Sequence, residues 1–352
     1  MRLEPDDTQR DLALAVRAEL EAAAGRGGRL DPAEVHTRLA GLDVYALDLP
    51  AAADGLELGL TYAAALCEEL GRWAAPDSYR ASMVLADLIL SVSHDAAAPA
   101  SSSLDDLLRA IAAGKATAGL AAGVGVVAAR TPGGWELDGD CALPGPPPDA
   151  SFYLVPARRA EGTSLAAVTV EDPGATWVAS RRDGARHLRL AGARAHILSG
   201  PLHSAAVPAP LLVRARIRQA AYLLGLAAGA HRLAISRAAS RQQFGRSIGE
   251  NQAIAFPLAE QFAELEAVRL LVHQACWAAD NGQDAAVGAT QALAYAAELA
   301  LRVTAHAVHV HGAAGLTEDA PVSRHYRAAA MEATRWGAPT SLWREAGALR
   351  LR

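Results

Sequence analysis

The order of hydrophobic patterns along the chain limits its fold more than any single motif does. Apolar residues recur at helical spacing over residues 6–114, give way to short Val/Ala-rich runs with turn signals over 115–201, and return to helical spacing over 202–352. A period near 3.6, then near 2, then 3.6 again predicts a helical domain, a small β domain and a C-terminal helical bundle, in that order and with those boundaries. Helices are expected over 11–24, 31–39, 60–71, 82–91 and 104–113, separated by Gly, Pro and Asp. Strands are expected over 118–129, 135–137, 151–155, 164–170 and 185–190. Turns are expected at Thr131-Pro-Gly-Gly, Pro144-Gly-Pro-Pro-Pro, Glu171-Asp-Pro-Gly and Arg182-Asp-Gly. The last part predicts helices over 211–240, 251–279, 285–311 and 322–335, with Pro257 kinking the second or sitting near its first turn.

Composition narrows the functional classes. Half the chain is apolar, which excludes a disordered polymer, and the scarcity of aromatics beside abundant Ala favours close-packed helices over a sandwich of bulky strands. A net charge of −5 with scattered basic residues gives no electrostatic footprint for nucleic acid or an anionic membrane. Cys67, Cys141 and Cys276 lie far apart, without disulfide or metal spacing, and read as structural thiols of a reducing cytoplasm. The charged N-terminus lacks the apolar core of a signal peptide, and the apolar run 116–129 is too short to cross a bilayer. A soluble cytoplasmic protein is expected.

One polar cluster interrupts the Ala/Leu-rich C-terminal half: Arg241-Gln-Gln-Phe-Gly-Arg-Ser-Ile-Gly-Glu-Asn-Gln. Before it, Ala221, Gly225 and Gly229 fall four residues apart, a face that allows another helix to approach closely. Gly245 and Gly249 supply the turn to the next helix. An Arg, a Gln and an aromatic ring at a helix corner suit a planar anion, with guanidinium for phosphate, amide for base edges and ring for stacking. The plainer alternative is a helix cap with a core Phe. His306, His309 and His311 have no Cys, Asp or Glu at ligand spacing, so no metal site is expected and they read as interface or capping residues. Glu68 and Glu69 are expected on an exposed helix face. The segment 119–125 lacks the Lys and Ser/Thr of a phosphate loop.

Together these segments resemble the acyl-CoA dehydrogenase family of flavoproteins. Leu42-Asp-Val-Tyr-Ala-Leu-Asp-Leu-Pro, Asp54-Gly-Leu-Glu-Leu-Gly-Leu and Cys67-Glu-Glu-Leu-Gly-Arg look like the family's N-terminal domain. Arg241-Gln-Gln-Phe-Gly is similar to its Arg-x-x-Phe-Gly, with Gln252-Ala-Ile following at the expected distance. His309-Val-His-Gly-Ala-Ala-Gly-Leu-Thr resembles Gln-x-x-Gly-Gly-x-Gly, with His309 for the Gln and Ala313 for one Gly, and Pro321-Val-Ser-Arg-His-Tyr-Arg matches the next helix start. The resemblance implies a helical N-terminal domain, a barrel-like middle domain, a C-terminal four-helix bundle, and FAD shared across a subunit interface. It assigns the ADP-side contacts to Arg241, Gln243, Phe244, Gln252, His309, Gly312 and Gly315.

The same resemblance marks what this chain lacks. The family's Thr/Ser-Glu-Pro-x-x-Gly-Ser-Asp loop and Trp-Ile-Thr stretch, which hold the flavin ring, are replaced by Gly119-Leu-Ala-Ala-Gly-Val-Gly-Val-Val and Cys141-Ala-Leu-Pro-Gly-Pro-Pro-Pro. The usual catalytic Glu falls on Trp336 and its alternate position on Ala215, so no catalytic residue is assigned; Arg216 and Trp336 are the pocket candidates. Glu332, four residues before Trp336, is expected on the preceding helix, turned from a substrate. The resemblance thus implies a Glu-less subunit that pairs with a sister acyl-CoA dehydrogenase subunit, as α2β2, acting on an acyl-CoA or acyl-carrier-protein thioester. The alternatives are a homo-oligomeric flavoenzyme of monooxygenase type and a cofactor-free scaffold.

Overall fold

A computed structural model describes residues 6–25, 30–93, 102–121, 125–143, 150–179, 186–198 and 209–351. In chain order the elements are α1 (Asp7–Ala24), α2 (Pro32–Ala40), α3 (Leu60–Arg72), α4 (Tyr79–Ser93), α5 (Ser102–Ala112), then β1 (Ala118–Leu120), β2 (Val126–Thr131), β3 (Gly134–Leu143), β4 (Phe152–Arg159), β5 (Gly162–Thr169), β6 (Ala175–Ala179) and β7 (Arg186–Ile197). Then come α6 (Ala209–Ser240), β8 (Gln242–Gln243), β9 (Arg246–Ser247), α7 (Gln252–Asp280), α8 (Ala286–His311), α9 (Pro321–Glu332) and α10 (Pro339–Arg350). The protein is mainly helical with a small central β domain, as the alternation of periods predicts. Four elements escape the periodicity: β6, whose short Ala-Thr-Trp-Val-Ala run lies among turn residues, the two-residue β8 and β9, and α10, which Pro339 opens at its first turn; the single strand expected over 118–129 is two, β1 and β2. The expected turns at 144–148 and 182–184 lie outside the described residues.

The chain forms two compact units, Met1–Asp31 with Leu58–Ala75 and Val213–Arg352, and Pro32–Glu57 with Pro76–Leu212. In the first unit α6 crosses α3 with backbones in contact. A Cβ on Gly225 would come within 2.9 Å of the Arg72 nitrogen, one on Gly71 within 2.8 Å of the Leu226 nitrogen, and one on Gly229 within 2.6 Å of His325 Nε2. The four-residue spacing of small residues on α6 is therefore the face that meets α3, and Ala221 beside it is 1% exposed. Tyr222 Oη donates to the Ala75 carbonyl at 3.2 Å, pinning the chain just beyond α3. At the other end of α3, the Asp280 carboxylate accepts from the backbone nitrogens of Leu60 (2.7 Å) and Thr61 (3.0 Å), a cap supplied from the end of α7.

Glu68 and Glu69 correct an expectation: both are largely buried rather than on a solvated face. Neighbouring positions on a helix point about 100° apart, so α3, lying between α1 and α7, turns Glu69 to one and Glu68 to the other. Arg17 of α1 grips Glu69 with two bonds (2.8 and 3.2 Å). Arg72 bridges Glu69 and Glu68, and Arg269 of α7 reaches Glu68 at 3.0 Å while also pairing with Glu266. Burial alone pushes the Glu68 carboxyl up, but Arg269 and Arg72 outweigh it and hold the group below its ordinary value.

In the second unit the strand pairings close on themselves. β2 pairs β3, β3 pairs β7, β7 pairs β5, β5 pairs β4, and β4 returns to β2, with β1 added to β4 and β6 to β7. Closure leaves only the short β1 and β6 as edges. Its interior is filled by Val126, Leu137, Val155, Ala166, Val168 and Leu188. Beside it, Tyr45 Oη lies 2.8 Å from both His36 Nδ1 and Ser78 Oγ, tying α2 to the start of α4.

Gly225→Val is expected to cost at least about 3 kcal/mol in denaturant unfolding, because two backbones must separate. Gly347→Ala, where an added Cβ meets nothing within 4 Å, is expected to gain roughly 0.5–1 kcal/mol. Glu68→Gln is expected to lose about 2 kcal/mol at pH 7, because Arg72 and Arg269, both partly buried, each lose one of their two carboxylate partners. Folding lowers the proton affinity of this carboxyl, so its contribution is complete above the ordinary 4.5 and fades as pH falls through the folded value. Unfolding curves of wild type and variant should therefore converge in acid.

Candidate functional site

The stretch after α6 is a built element rather than a loose glycine turn. The Arg241 N–H closes α6 by donating to the Arg237 carbonyl at 2.9 Å, and the Ile248 N–H donates to the Arg241 carbonyl at 2.9 Å. Between them Gln242 pairs Ser247 and Gln243 pairs Arg246, a two-residue hairpin whose tip is Phe244 (φ 51°) and Gly245 (φ 77°). Two left-handed residues match the favoured hairpin turn, but that conformation suits Asn and Gly rather than an aromatic. Ser247 and Glu250 form a reciprocal cap that fixes the exit into α7. Phe244 is 99% exposed, so the core-Phe alternative is excluded. A bulky residue held left-handed in water contributes no packing, and such strain collects at functional sites. Arg241, Gln243 and Arg246 are also exposed, as is Gln252 at the first turn of α7.

His309, Gly312 and Gly315 lie at the C-terminal end of α8, where His309 is exposed. Gly312 closes the helix left-handed at φ 63° and opens a 3-10 turn to Leu316. Gly315 is buried, and a Cβ there would sit 2.8 Å from the His311 Cβ. Both glycines thus have backbone reasons of their own. This end of α8 lies beside the start of α7: Gln261 Nε2 donates to His306 Nδ1 at 3.0 Å, one turn before His309. From α6, His231 contacts the Leu258 carbonyl at 2.9 Å. Hairpin, α7 start and α8 end are therefore brought to one end of this unit. Burial, then His309 and His231, lowers the His306 pKa. Among the described residues no group of three or more His, Cys, Asp or Glu is placed to hold a metal ion.

Arg216 and Trp336 belong to the opposite end of α6, about 38 Å from Arg241 along the helix. Arg216 is buried, and its guanidinium is engaged on all sides. It reaches Glu345 of α10 with two bonds (2.7 and 2.8 Å), Thr290 Oγ1 of α8 at 2.8 Å and the Trp336 carbonyl at 3.3 Å. The Trp336 backbone is left-handed, φ 68°, on the turn between α9 and α10. Ala215, the alternate base position, is buried. The Glu332 carboxylate, four residues before Trp336, is spent on Gln219 (3.0 Å) and on two bonds from Arg335 (2.7 Å each). Sequence reasoning missed Glu345 and Thr290; Pro339 as a helix-start signal would have placed Glu345 on a helix. The Arg216 hydrogen bond holds the Glu345 carboxyl below its ordinary range.

FAD is implied by the resemblance, and its two halves fit this chain unequally. The hairpin offers what a pyrophosphate and a base require, namely exposed guanidinium, amide and aromatic groups on a fixed backbone. The segments replacing the flavin-ring loops do not. Their described side chains are Leu, Ala, Val and Cys, and a Cβ on Gly119 would lie 2.5 Å from the ring of Tyr153, which packs edge-on against Trp177 at 5.0 Å. Cys141 is buried against the Leu188 carbonyl, and burial, aided by Asp140, pushes its thiol up to about 11.

A closed β unit between helical segments, followed by a bundle bearing this hairpin, defines the acyl-CoA dehydrogenase fold. The Tcur3481-Tcur3483 steroid ACAD structure superposes with a TM-score of 0.79, 28% identity and 98% of each chain covered. The ChsE4-ChsE5 complex from Mycobacterium tuberculosis gives 0.80, 25%, and 99% of this chain against 98% of that one. The family model for the acyl-CoA dehydrogenase C-terminal domain matches residues 206–339. Acyl-CoA dehydrogenase FadE27 of Mycobacterium tuberculosis is 31% identical over 233 residues, 63% of this chain and 62% of that protein. The chain belongs to the acyl-CoA dehydrogenase family. It spans under two thirds of the length of the curated relatives it matches.

Glu345→Ala should cost about 2 kcal/mol in chemical unfolding, because Arg216 then stays buried without its counterion. Phe244→Ser, by contrast, should leave stability within about 0.5 kcal/mol of wild type, since an exposed side chain is all that changes.

Proposed function

We propose that this chain is the Glu-less subunit of a heteromeric acyl-CoA dehydrogenase, with the three-part division at 114 and 201, working in the cytoplasm. In this reading Arg241, Gln243, Phe244, Gln252 and His309, with Gly312 and Gly315 shaping the backbone, hold the ADP part of an FAD. Its flavin ring lies in a sister subunit, and the assembly is α2β2. The sister oxidises an acyl-CoA or acyl-carrier-protein thioester to the α,β-enoyl thioester. Bound FAD supplies the hydride acceptor, while the α-proton needs a carboxylate placed beside it. Trp336 offers no such base, Ala215 none, and Glu332 is fully bonded.

One observation carries the reading: the exposed, pre-shaped Arg-Gln-Phe hairpin is separated by the length of α6 from a base position that holds Trp336. Such a chain is equipped to give contacts outward and not to run the reaction inward. Two of the similar structures are named as pairs of different polypeptides, one of them a steroid enzyme, and this supports a partner of the same family.

The test is purification with and without a sister subunit that carries the Glu and the flavin loop. The complex should be yellow and active, and the chain alone should be colourless. Arg241→Ala or Phe244→Ala in the complex should weaken FAD retention about 10- to 100-fold, the loss expected for a charge-assisted contact or a stacking ring, without shifting the melting temperature of the chain itself. A chain that purifies alone with stoichiometric FAD would sink the proposal. NADPH-dependent oxygen uptake by that material would point to monooxygenase chemistry, and a colourless chain with no partner to a scaffold.

A further inference from the structure

The end of α6 and its hairpin carry more positive charge than the contacts named so far use. Between His231 and Ala259 the chain has four arginines, Arg232, Arg237, Arg241 and Arg246, against one carboxylate, Glu250, whose Oε1 already accepts from the Ser247 N–H at 3.2 Å. Elsewhere in the same unit arginines hold carboxylates, as Arg17, Arg269, Arg302 and Arg335 do. Arg237, Arg241 and Arg246 hold none among the described residues.

The backbone gathers these three side chains. Arg237 and Arg241 are one helical turn apart and share a face of α6, where like charges repel. On the hairpin Gln243 pairs Arg246 and Gln242 pairs Ser247. Cross-strand partners share a face, and so do alternate residues of one strand, so Arg241, Gln243 and Arg246 project together. The other face is turned to α6, where Ser247 Oγ donates to the Ala238 carbonyl at 3.3 Å. Arg237 is half-buried and its Nε is covered without an acceptor, so its stem is packed down rather than free to swing away from Arg241. The negative end of α6 accounts for a cation in its last turn. That field fades within the turn and does not call for Arg246 on the far strand of the hairpin.

Several guanidiniums on a fixed backbone match an anion with more than one phosphate, since each planar fork takes two oxygens. We propose that Arg237 and Arg246 join Arg241 in a site for a nucleoside diphosphate, and that the chain by itself distinguishes ADP from AMP there. Both FAD and coenzyme A contain an ADP group. That the ADP is FAD's rests on the sharing reading above; the diphosphate site does not.

Calorimetric titration of the full chain without flavin tests the site. ADP should bind at least about 10-fold tighter than AMP, the gain from added charge-assisted hydrogen bonds, and added salt should weaken ADP more than AMP. Inorganic diphosphate should compete with ADP far better than inorganic phosphate does. Arg237→Gln and Arg246→Gln should each bring the ratio of ADP to AMP affinity toward one, with an unchanged circular dichroism spectrum. Arg237→Lys should recover part of that ratio, because the charge returns without the fork. Arg344→Gln, which removes an exposed arginine of α10, should leave the ratio as it is. FAD should displace ADP; displacement by coenzyme A and not by FAD would keep the diphosphate site and remove the sharing reading. Equal affinity for ADP and AMP, or no binding of ADP at about 1 mM, would overturn the proposal, as would a ratio unchanged in both glutamine variants. FAD retention by the complex, with its loss in Arg241→Ala, would then still uphold the sharing reading.

Discussion

Backbone contact between α6 and α3 sets the geometry of the helical unit. Helices this close exclude side chains at the crossing, so Gly71, Gly225 and Gly229 each face the main chain of the other helix. No Cβ can intervene, and the relative position of the two helices is fixed by hard contact rather than by adjustable side chains. The crossing also orders its surroundings: His325 of α9 closes over Gly229 and contacts the Arg72 carbonyl at 3.0 Å, while Glu68 and Glu69, on the turn just before, are driven into contact with α7 and α1. The chain of arginines and glutamates there compensates charges that the crossing has already buried. It is better read as a consequence of close packing than as its cause, since a buried ion pair repays little more than its desolvation.

A fixed α6 gives the two ends of the unit separate roles. Its C-terminal end carries the hairpin, where strain at Phe244 is tolerated because the hairpin ladder, the Ile248 to Arg241 bond and the Ser247/Glu250 cap over-determine the backbone. Its N-terminal half buries Arg216, which holds the Trp336 carbonyl and, through Glu345 and Thr290, joins α10 to α8. One end turns its polar side chains to water. The other satisfies them internally.

Much of this was legible in the sequence because it depends on local spacing. The four-residue repeat of small residues on α6 predicts the close crossing, and the change of period near residue 115 predicts the β unit. What was not legible depends on neighbours that periodicity cannot name. Glu68 and Glu69 look solvated because adjacent charges on a helix usually are, and only the presence of α1 on one side and α7 on the other reverses that. α10 was missed because Pro339 and Gly347 read as breaks, although Pro339 opens the helix at its first turn, and with it went Glu345, the partner that defines what Arg216 does. The hairpin was half visible: Gly245 announces a turn, but nothing in the sequence says that Phe244 shares its left-handed conformation.

The division of labour along α6 bears on why such a chain persists without a base. In a self-sufficient enzyme the base, the flavin-ring contacts and the dinucleotide contacts must all be kept within fractions of an ångström of one another. Under the proposed reading, a chain that gives only dinucleotide contacts escapes that demand around Trp336 and Ala215. Its pocket residues are then free to become structural, and a tryptophan on a strained turn, clamped by a buried arginine that has its own carboxylate partner, is the kind of arrangement that results. The hairpin has no such freedom in that reading, because Phe244 is exposed on a left-handed backbone and adds no packing to offset its cost.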